Sequence, residues 1–351
     1  MKLLRILSIL IIVLQLSVST AFAWEEDSSG SVEVKSGPGV YIHPWNEKLR
    51  TEETTHELIE ELRQHNITMI FVDVYSPKGA GKGVLRIKNK GSWHGMTDVP
   101  EFYNDMDLDV ILEEAHAKNI EVHVLVCCFG GAGLDYPEYS VSPTSELHKN
   151  HLLEVIDYLI HAFPSLDGVQ LDYIRYMKEN GYKAEGDTDT IANFVRNIRM
   201  IVRDKKLSAT VIPASYENPW FDWLLSWFGR ASEYYEVWHD YGQDYTKMSQ
   251  FLDIICPMAY HVSFHRQANW VGAVTTFVKQ KAAETCVVVP IIQAFYQPDR
   301  KGPDILDEPG YPAVKDAIES ARANNAYSIS VYMYGTISAD EWKAIDNGLK
   351  S

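Results

Sequence analysis

The sequence predicts an α/β fold: a single closed (β/α)8 barrel of the TIM type, with long βα loops on its C-terminal face. Eight short apolar runs alternate with eight helical patterns along the chain, which is the order of consecutive βα units. The runs are nearly continuous rather than alternating, as in parallel strands buried on both faces. Eight such units close economically into a barrel. An open doubly wound sheet is the alternative, but the sequence lacks that fold's glycine-rich phosphate turn after the first run.

Each predicted strand is a short apolar run rich in β-branched and aromatic side chains, the types that a pleated sheet accommodates best. The eight predicted strands are Gly39–Trp45, Met69–Ser76, Glu121–Phe129, Gly168–Tyr176, Ser208–Ser215, Ile254–Tyr260, Val287–Phe295 and Ser328–Thr336. Each predicted helix follows one run and repeats its apolar residues at the spacing of one helix face. The eight predicted helices are Thr54–His65, Leu108–Lys118, Ser145–Phe163, Thr188–Lys205, Thr246–Asp253, Ala268–Ala283, Tyr311–Asn324 and Ala339–Leu349.

The lengths of the connections predict which end of the barrel carries the function. Helix-to-strand segments are short, whereas the long strand-to-helix segments are Pro77–Asp107, Gly130–Thr144, Met177–Asp187, Tyr216–Tyr245 and Tyr296–Gly310. Long loops on one face build a cleft at the carboxyl ends of the strands, where barrel enzymes keep their active sites. The aromatic-rich segment Tyr216–Tyr245 predicts either a small local core or a platform on which sugar rings stack.

The first residues have the pattern of an export signal. Lys2 and Arg5 precede an almost wholly apolar stretch, Ile6–Val18, and Ala21-Phe22-Ala23 matches a cleavage site. We therefore expect residues 1–23 to be a signal peptide that is cleaved after Ala23, so that the protein is secreted; an uncleaved membrane anchor is the alternative. Residues 24–37 are acidic and rich in Ser and Gly, which predicts a linker. Residues 38–351 form the predicted barrel domain.

Charge and cysteine content narrow the classes of partner. Lys and Arg number 32 against 48 Asp and Glu, a net charge of −16. Such a surface repels nucleic acid and anionic membranes, disfavours polyanions and favours neutral or cationic partners. The four cysteines are too few for a disulfide framework and are predicted to be small buried hydrophobic residues; they are Cys127, Cys128, Cys256 and Cys286.

Polar side chains gather at the predicted carboxyl ends of the strands. Asp172 ends the fourth strand, and Arg175 follows three residues later. Glycoside hydrolysis needs one ionised carboxylate and one carboxyl group that holds a proton. Because a guanidinium lowers the pKa of a nearby carboxyl group, Arg175 would keep Asp172 charged, which suits a nucleophile. The structural alternative is a plain Asp172–Arg175 salt bridge.

The second carboxyl group has three candidates. Glu217 follows the fifth strand, beside the aromatic segment that could raise its pKa by excluding water. Asp73, at the end of the second strand, and Asp299, after the seventh, compete with it; Glu217 is the preferred general acid. Predicted substrate contacts, each of which could instead be a packing residue, are His43, Trp45, Tyr75, Trp93, Arg175, Tyr260, His261, Gln293 and Tyr332.

The sequence predicts no cofactor and no metal. Candidate histidine ligands are His43, His123, His239, His261 and His265, but none occurs in an H-x-H or H-E-x-x-H spacing. A metal-dependent hydrolase is therefore the weaker enzymatic alternative. A non-catalytic carbohydrate-binding protein on the same scaffold is the other, and it is favoured if no second carboxylate lies within about 10 Å of Asp172.

Four segments resemble a poorly characterised glycoside hydrolase family of (β/α)8 proteins, relatives of the α-amylase-type barrels. They are Gly168–Tyr176, Glu121–His123, Gly242–Asp244 with Leu252–Tyr260, and Pro290–Phe295. The resemblance implies an extracellular carbohydrate-active enzyme with Asp172 in the place of the strand-four nucleophile and Asp73 in that of a second-strand aspartate. Met177 departs from the family's usual proline, and the fifth-strand carboxylate is displaced to Glu217. The implied partner is a poly- or oligosaccharide substrate.

Overall fold

The computed structural model describes residues 33–91, 99–131, 139–215, 233–295 and 310–350. The predicted signal segment, most of the linker, and Trp93, Glu217 and Asp299 lie outside these residues. The described strands are β1 (Gly39–Ile42), β2 (Met69–Gly79), β3 (Lys82–Ile87), β4 (Glu101–Met106), β5 (Glu121–Cys127), β6 (Gly168–Asp172), β7 (Lys206–Val211), β8 (Ile254–Pro257), β9 (Val287–Val288), β10 (Ile291–Gln293) and β11 (Ser330–Tyr332).

The parallel strands close into a ring. β1, β2, β5, β6, β7 and β8 pair in that order, and β11 pairs with β1. The ring closes through residues 287–293, because β9 pairs with β8 while β10 pairs with β11. Pro290 separates β9 from β10 since it has no backbone N–H to donate, yet its carbonyl accepts a hydrogen bond from Ser330 N at 3.0 Å. The predicted (β/α)8 barrel is confirmed.

Helices follow the barrel strands as predicted. They are α1 (Glu52–Gln64), α2 (Leu108–Ala117), α3 (Glu146–Ala162), α4 (Asp189–Val202), α5 (Glu233–His239), α6 (Tyr245–Met248), α7 (Trp270–Lys281), α8 (Gly310–Ala323) and α9 (Ala339–Lys350). Side-chain oxygens of Thr51 and Ser145 accept backbone N–H groups in the first turns of α1 and α3, which fixes where these helices begin. The predicted fifth helix, Thr246–Asp253, is a single turn, α6, and α5 is an addition. No helix in the described ranges is long and apolar enough to cross a membrane.

The second strand-to-helix connection, predicted as a loop, is largely sheet. β2 continues to Gly79, turns through Gly79 and Gly81 at positive φ, and pairs antiparallel with β3; β4 then pairs with β3. Glycine adopts these dihedrals without the strain that a side chain causes. Four ion pairs line this extension: Lys78–Glu101, Arg86–Asp105, Lys88–Asp107 and Lys90–Asp109.

The apolar residues form two cores, as the barrel architecture requires. Alternate strand residues such as Phe71, Leu125 and Cys256 fill the barrel interior. Their neighbours along the strands, including Val72 and Val124, pack outward against the helices. All four cysteines are buried and free, so the expectation that they pack as small hydrophobic residues is confirmed.

Charged side chains close the barrel at the amino ends of its strands. Lys206 Nζ lies 2.7 Å from Glu121 Oε1, and both side chains are buried. His123, which is fully buried, has its Nε2 3.5 Å from Glu121 Oε2. Burial raises the pKa of Glu121, but the His123 ring and the Lys206 ammonium outweigh it and leave that pKa below its ordinary value. These charges therefore lie at the end of the barrel away from Asp172, which ends β6.

Candidate active site

Asp172 is the last residue of β6 and is half-buried at the carboxyl end of the barrel. Its Oδ1 accepts a hydrogen bond from the backbone N–H of Tyr173 at 2.8 Å and another from the Thr210 hydroxyl. Tyr173 has φ +47°, a left-handed conformation that few residues other than glycine adopt. That turn directs the Tyr173 N–H at its neighbour's carboxyl group, so the local backbone and β7 together fix the orientation of Asp172.

The pKa of Asp172 is raised, contrary to the sequence-based expectation. Burial is the largest cause of the increase, and the charge of Asp73 adds to it. The hydrogen bonds from Thr210 and Tyr173 and the charge of Arg175 all lower this pKa, but they do not outweigh burial. Arg175 thus acts in the predicted direction, yet the predicted net result was wrong because the desolvation of the carboxylate dominates. A raised pKa suits a group that holds a proton.

A chain of contacts joins the ends of β2, β1 and β11. Asp73 Oδ2 lies 3.3 Å from His43 Nδ1, and His43 Nε2 lies 2.5 Å from the Tyr332 hydroxyl. With the imidazole proton on Nδ1, His43 donates to Asp73 and accepts from Tyr332. Asp73 is only 1% exposed, and its Oδ1 has no hydrogen-bond partner among the described residues. Asp73 is the second carboxylate described at this site. It is near enough to raise the pKa of Asp172, but it is almost fully enclosed by protein.

Aromatic rings surround this chain. The Trp45 ring, 51% exposed, stacks on His43 with centroids 4.1 Å apart and planes 7° apart. Tyr260, Phe295 and Tyr332 pack against one another with centroid distances of 5.3 to 5.6 Å. Burial raises the pKa of Tyr260 and of Tyr332 well above the ordinary value, so both phenols stay protonated. Such a wall can stack against the apolar face of a sugar, and Tyr260 can donate a hydrogen bond to a sugar hydroxyl group, whereas the Tyr332 proton is directed at His43.

Arg175 is 9% exposed and lies between two tyrosine rings. Its guanidinium carbon is 5.2 Å from the centroid of Tyr173 and 5.4 Å from that of Tyr241. No ion pair forms between Arg175 and Asp172, both of which are described in full. The structural alternative raised by the sequence, a salt bridge between these two residues, is therefore not what holds either side chain in place.

Three of the predicted substrate contacts, Tyr75, Gln293 and His261, are at most 2% exposed. Tyr75 is fully buried in the outer core beside His151, because an irregularity in the pairing of β2 between Asp73 and Tyr75 turns Tyr75 away from the barrel interior. Gln293 Oε1 accepts from Ser263 N at 3.0 Å, so this side chain anchors the loop after β8. His261 is 2% exposed, and burial lowers its pKa to about 4. The structure does not bring Tyr75 together with the other site residues.

Two groups that hold Asp172 were missed at the sequence level. Thr210 lies beside Asp172 because β6 and β7 pair with Leu171 opposite Ala209. Its signal was visible: Ser208 and Thr210 are alternate polar residues in an otherwise apolar strand. Tyr173 acts through its backbone N–H, which leaves no trace in the identity of a side chain.

The candidate histidine ligands are dispersed. His123 lies at the closed end of the barrel, whereas His43 and His261 follow strands at the other end. Among the residues that the structure describes, no three His, Cys, Asp or Glu side chains are grouped so that they could hold a metal ion.

No protein-family model matches this sequence, and no curated protein sequence matches it. Solved structures do share its fold. A class V chitinase from Pseudomonas fluorescens Pf-5 has a TM-score of 0.57 and 13% identity, over 89% of this chain and 99% of that one. An endo-1,4-β-mannanase from Rhizomucor miehei has a TM-score of 0.60 and 8% identity, over 89% and 93%.

The spore cortex-lytic enzyme SleL of Bacillus cereus is similar over 89% of this chain and 74% of its own, with a TM-score of 0.55 and 11% identity. At these identities the likeness shows the barrel fold alone. The relation to α-amylase-type enzymes, which the sequence motifs imply, stays a prediction.

Proposed function

We propose that this protein is an exported glycoside hydrolase that cleaves bonds in a polysaccharide. One observation carries the proposal: a half-buried carboxyl group with a raised pKa, Asp172, lies at the carboxyl end of a (β/α)8 barrel, where barrel enzymes carry their chemistry. A second carboxylate, Asp73, is near enough to contribute to that increase. The structural neighbours are glycoside hydrolases, which agrees with this reaction class.

Asp172 is proposed as the general acid rather than the nucleophile. A general acid must hold its proton at the working pH and release it to the leaving oxygen. Burial supplies the first condition, and the donors on Oδ1 stabilise the anion that remains afterwards. The ionised partner is then Glu217, as the chain order suggests, or Asp73. Since Asp73 is enclosed, Glu217 is the preferred partner.

Sugar binding is assigned to the aromatic wall. Trp45 offers the exposed face, with His43 stacked behind it as support. Tyr260 and Tyr332, both half-buried, present protonated phenols beside Asp172. Aromatic faces with a few well-placed donors are the usual lining of carbohydrate sites.

The test is a comparison of leaving groups. The protein is first screened against chitin, mannan and other polysaccharides by detection of new reducing ends. Aryl glycosides of the released sugar, whose phenol leaves without a proton, are then given to wild type and to Asp172→Asn. If Asp172 is the acid, polymer turnover falls roughly 10²–10⁴-fold, while the aryl glycosides lose much less.

Asp204→Asn, an exposed change at the other end of the barrel, is the matched control and keeps both activities. Equal collapse of both substrates in Asp172→Asn would assign Asp172 as the nucleophile. If that variant cleaves the polymer as fast as wild type, Asp172 takes no part in the reaction. The proposed export has its own readout, since the N-terminus of protein recovered from the medium should be Trp24.

One observation favours the non-catalytic alternative. Asp73, the carboxylate whose charge raises the pKa of Asp172, is only 1% exposed, so it is poorly placed to reach a substrate. A carbohydrate-binding protein would bind oligosaccharides with unchanged affinity in Asp172→Asn and would show no turnover in the screen above.

A further inference from the structure

Arg175 carries a positive charge that the described residues leave without a counter-ion. The residue is more than nine-tenths buried, its Nε is fully enclosed and makes no hydrogen bond, and no acidic side chain of the described ranges pairs with the guanidinium. Buried charges in proteins are normally paired or hydrogen-bonded, because an unpaired one loses its hydration without compensation. An arginine in this state at a candidate active site points to an absent partner.

Neighbouring carboxyl groups are already engaged elsewhere. Asp172 Oδ1 is occupied by the Tyr173 N–H and the Thr210 hydroxyl. Glu179 Oε1 accepts the Tyr241 hydroxyl at 3.2 Å. Neither carboxyl group lies within ion-pair distance of the Arg175 guanidinium. Side chains of the protein would have to rearrange before one of them could neutralise its charge.

Two rings instead hold the guanidinium in place. Tyr173 and Tyr241 lie within 5.2 and 5.4 Å of its carbon, and Tyr241 is itself fixed through Glu179. Cation–π contacts orient the guanidinium but offer no acceptor to its N–H donors. The arrangement is therefore a preorganised donor group with unused hydrogen-bonding capacity beside Asp172.

We propose that Arg175 binds a carboxylate carried by a sugar unit of the substrate, in the subsite beside Asp172. The inference rests on the proposed function and names the substrate class of that same site. The planar fork of an arginine matches the two oxygens of a carboxylate, and a charged acceptor compensates a buried cation better than a hydroxyl does. The carboxylate can belong to a uronic acid or to a lactyl ether on an amino sugar.

The charge of the whole chain limits how dense these carboxylates can be. A net charge of −16 repels a polymer that carries a charge on every unit. Repulsion is screened beyond about 8 Å at physiological salt, whereas Arg175 acts at contact. The substrate class that fits both observations has isolated carboxylates between neutral sugars.

The experiment compares matched polymers. Mannan and chitin in which a minority of the C6 hydroxyl groups has been oxidised to carboxylates are tested beside the same polymers after reduction of those carboxylates. Glycan strands with free lactyl carboxylates form the second arm. Wild type should prefer the carboxylated form at least ten-fold in kcat/KM, mainly through KM, and the arm that shows the preference identifies the source.

Substitutions at Arg175 then test the residue. Arg175→Gln should lower the ratio of carboxylated to reduced substrate at least ten-fold, and Arg175→Lys should retain part of it. Arg63→Gln removes the same charge from the exposed face of α1, where Arg63 pairs with Glu60, and should keep the full ratio. Thermal unfolding of each variant confirms that it folds.

Several outcomes would overturn the inference while leaving hydrolysis intact. Wild type could show no preference, or Arg175→Gln could slow both forms equally, which would mean that Arg175 serves Asp172 and not the substrate. If no polymer is cleaved, calorimetric binding of carboxylated oligosaccharides decides: Arg175-dependent binding supports the subsite, and its absence refutes it.

Discussion

At the scale of single residues, one hydroxyl opposes the effect of burial on the pKa of the candidate catalytic group. Thr210 donates to Asp172 Oδ1 and thereby lowers its pKa, against the larger effect of burial. Thr210→Val removes this donor at almost constant shape, so the pKa of Asp172 should rise further. A general acid is active while protonated, and activity is lost as pH rises through its pKa. The alkaline limb of the kcat profile should therefore move to higher pH.

Ser208→Ala is the matched control for this change. Ser208 lies two residues earlier on β7 and donates to Gln170 rather than to Asp172. The profile of Ser208→Ala should keep its alkaline limb. A Thr210→Val profile that coincides with wild type would show that Asp172 is not the group that limits activity at high pH.

The raised pKa of Asp172 suits a general acid, but it should also lower the stability of the folded protein once the pH exceeds that pKa. Because the pKa of Asp172 is raised in the folded state, its ionisation favours unfolding, and stability falls as pH rises from the unfolded pKa through the folded one. Asp172→Asn keeps an oxygen acceptor for Tyr173 and Thr210 but cannot ionise. Above that window its free energy of unfolding should exceed that of wild type by about 0.5–2 kcal/mol.

Urea unfolding at two pH values checks this expectation. The advantage of Asp172→Asn should be present near pH 8 and should shrink toward pH 3, where both side chains are neutral. A constant difference between the two variants across this range would contradict the pKa argument.

At the scale of elements, two aspartates make the same kind of hydrogen bond at the amino ends of the barrel strands. Asp167 precedes β6, and its Oδ2 accepts the Val122 N–H at the start of β5 at 2.8 Å. Asp253 precedes β8, and its Oδ2 accepts the Leu207 N–H at the start of β7 at 2.7 Å. Each carboxylate lies just before one strand and thus holds the first residues of the neighbouring strand.

Removing either aspartate should loosen this end of the sheet. Asp167→Ala and Asp253→Ala each leave a backbone N–H unpaired, which should reduce the free energy of unfolding by about 1–3 kcal/mol. Asp204→Ala, an exposed change in the turn before β7, is the control and should stay within about 0.5 kcal/mol of wild type. Denaturant unfolding of the three variants measures this, and equal values for all three would refute the role.

At the scale of the whole molecule, the buried pair of Glu121 and Lys206 predicts how the barrel responds to acid. The pKa of Glu121 is lowered in the folded state: burial raises it, but His123 and Lys206 outweigh burial. A lowered pKa contributes stability that is present above the ordinary value of 4.5 and is lost as pH falls through the folded value. The barrel should therefore lose stability as the pH falls below about 4.5.

Lys206→Met leaves the Glu121 carboxylate without its buried partner. The expected loss in free energy of unfolding near pH 7 is about 3–5 kcal/mol, and the acid dependence should become shallower. Lys343→Met breaks a comparable pair with Asp340 whose side chains are 66% and 71% exposed, and it should cost less than about 1 kcal/mol. Similar losses in the two variants would contradict the assignment.

The barrel was predictable because its signals are periodic and repeated eight times. The sheet extension after β2 was not, since Lys82–Ile87 pairs with a segment whose register depends on the glycine turn before it. Tyr75 was misplaced for a related reason: strict alternation would turn it inward with Asp73, and the local irregularity in β2 reverses its direction. One-residue irregularities of this kind leave no pattern in the sequence.

Asp172 ends β6 and Arg175 follows it, as the sequence predicts, but the balance of forces on the Asp172 carboxyl group could not be predicted. The sequence shows that Arg175 is positively charged. It does not show how far the residues packed around Asp172 exclude water from its carboxyl group. Thr210 belongs to a strand 38 residues further along the chain and becomes a neighbour only through strand pairing. Predicting its contact required the register of β6 and β7.

The sheet extension has a consequence for how copies of this protein meet one another. Among the described residues β4 pairs only with β3 and so ends the sheet on its side, and an unpaired strand edge is a template onto which another chain can add. Glu101 and Asp105 on β4 are held by Lys78 and Arg86. An incoming strand would have to strip water from these charges before it could join, so crowding should not drive edge-to-edge aggregation of this protein.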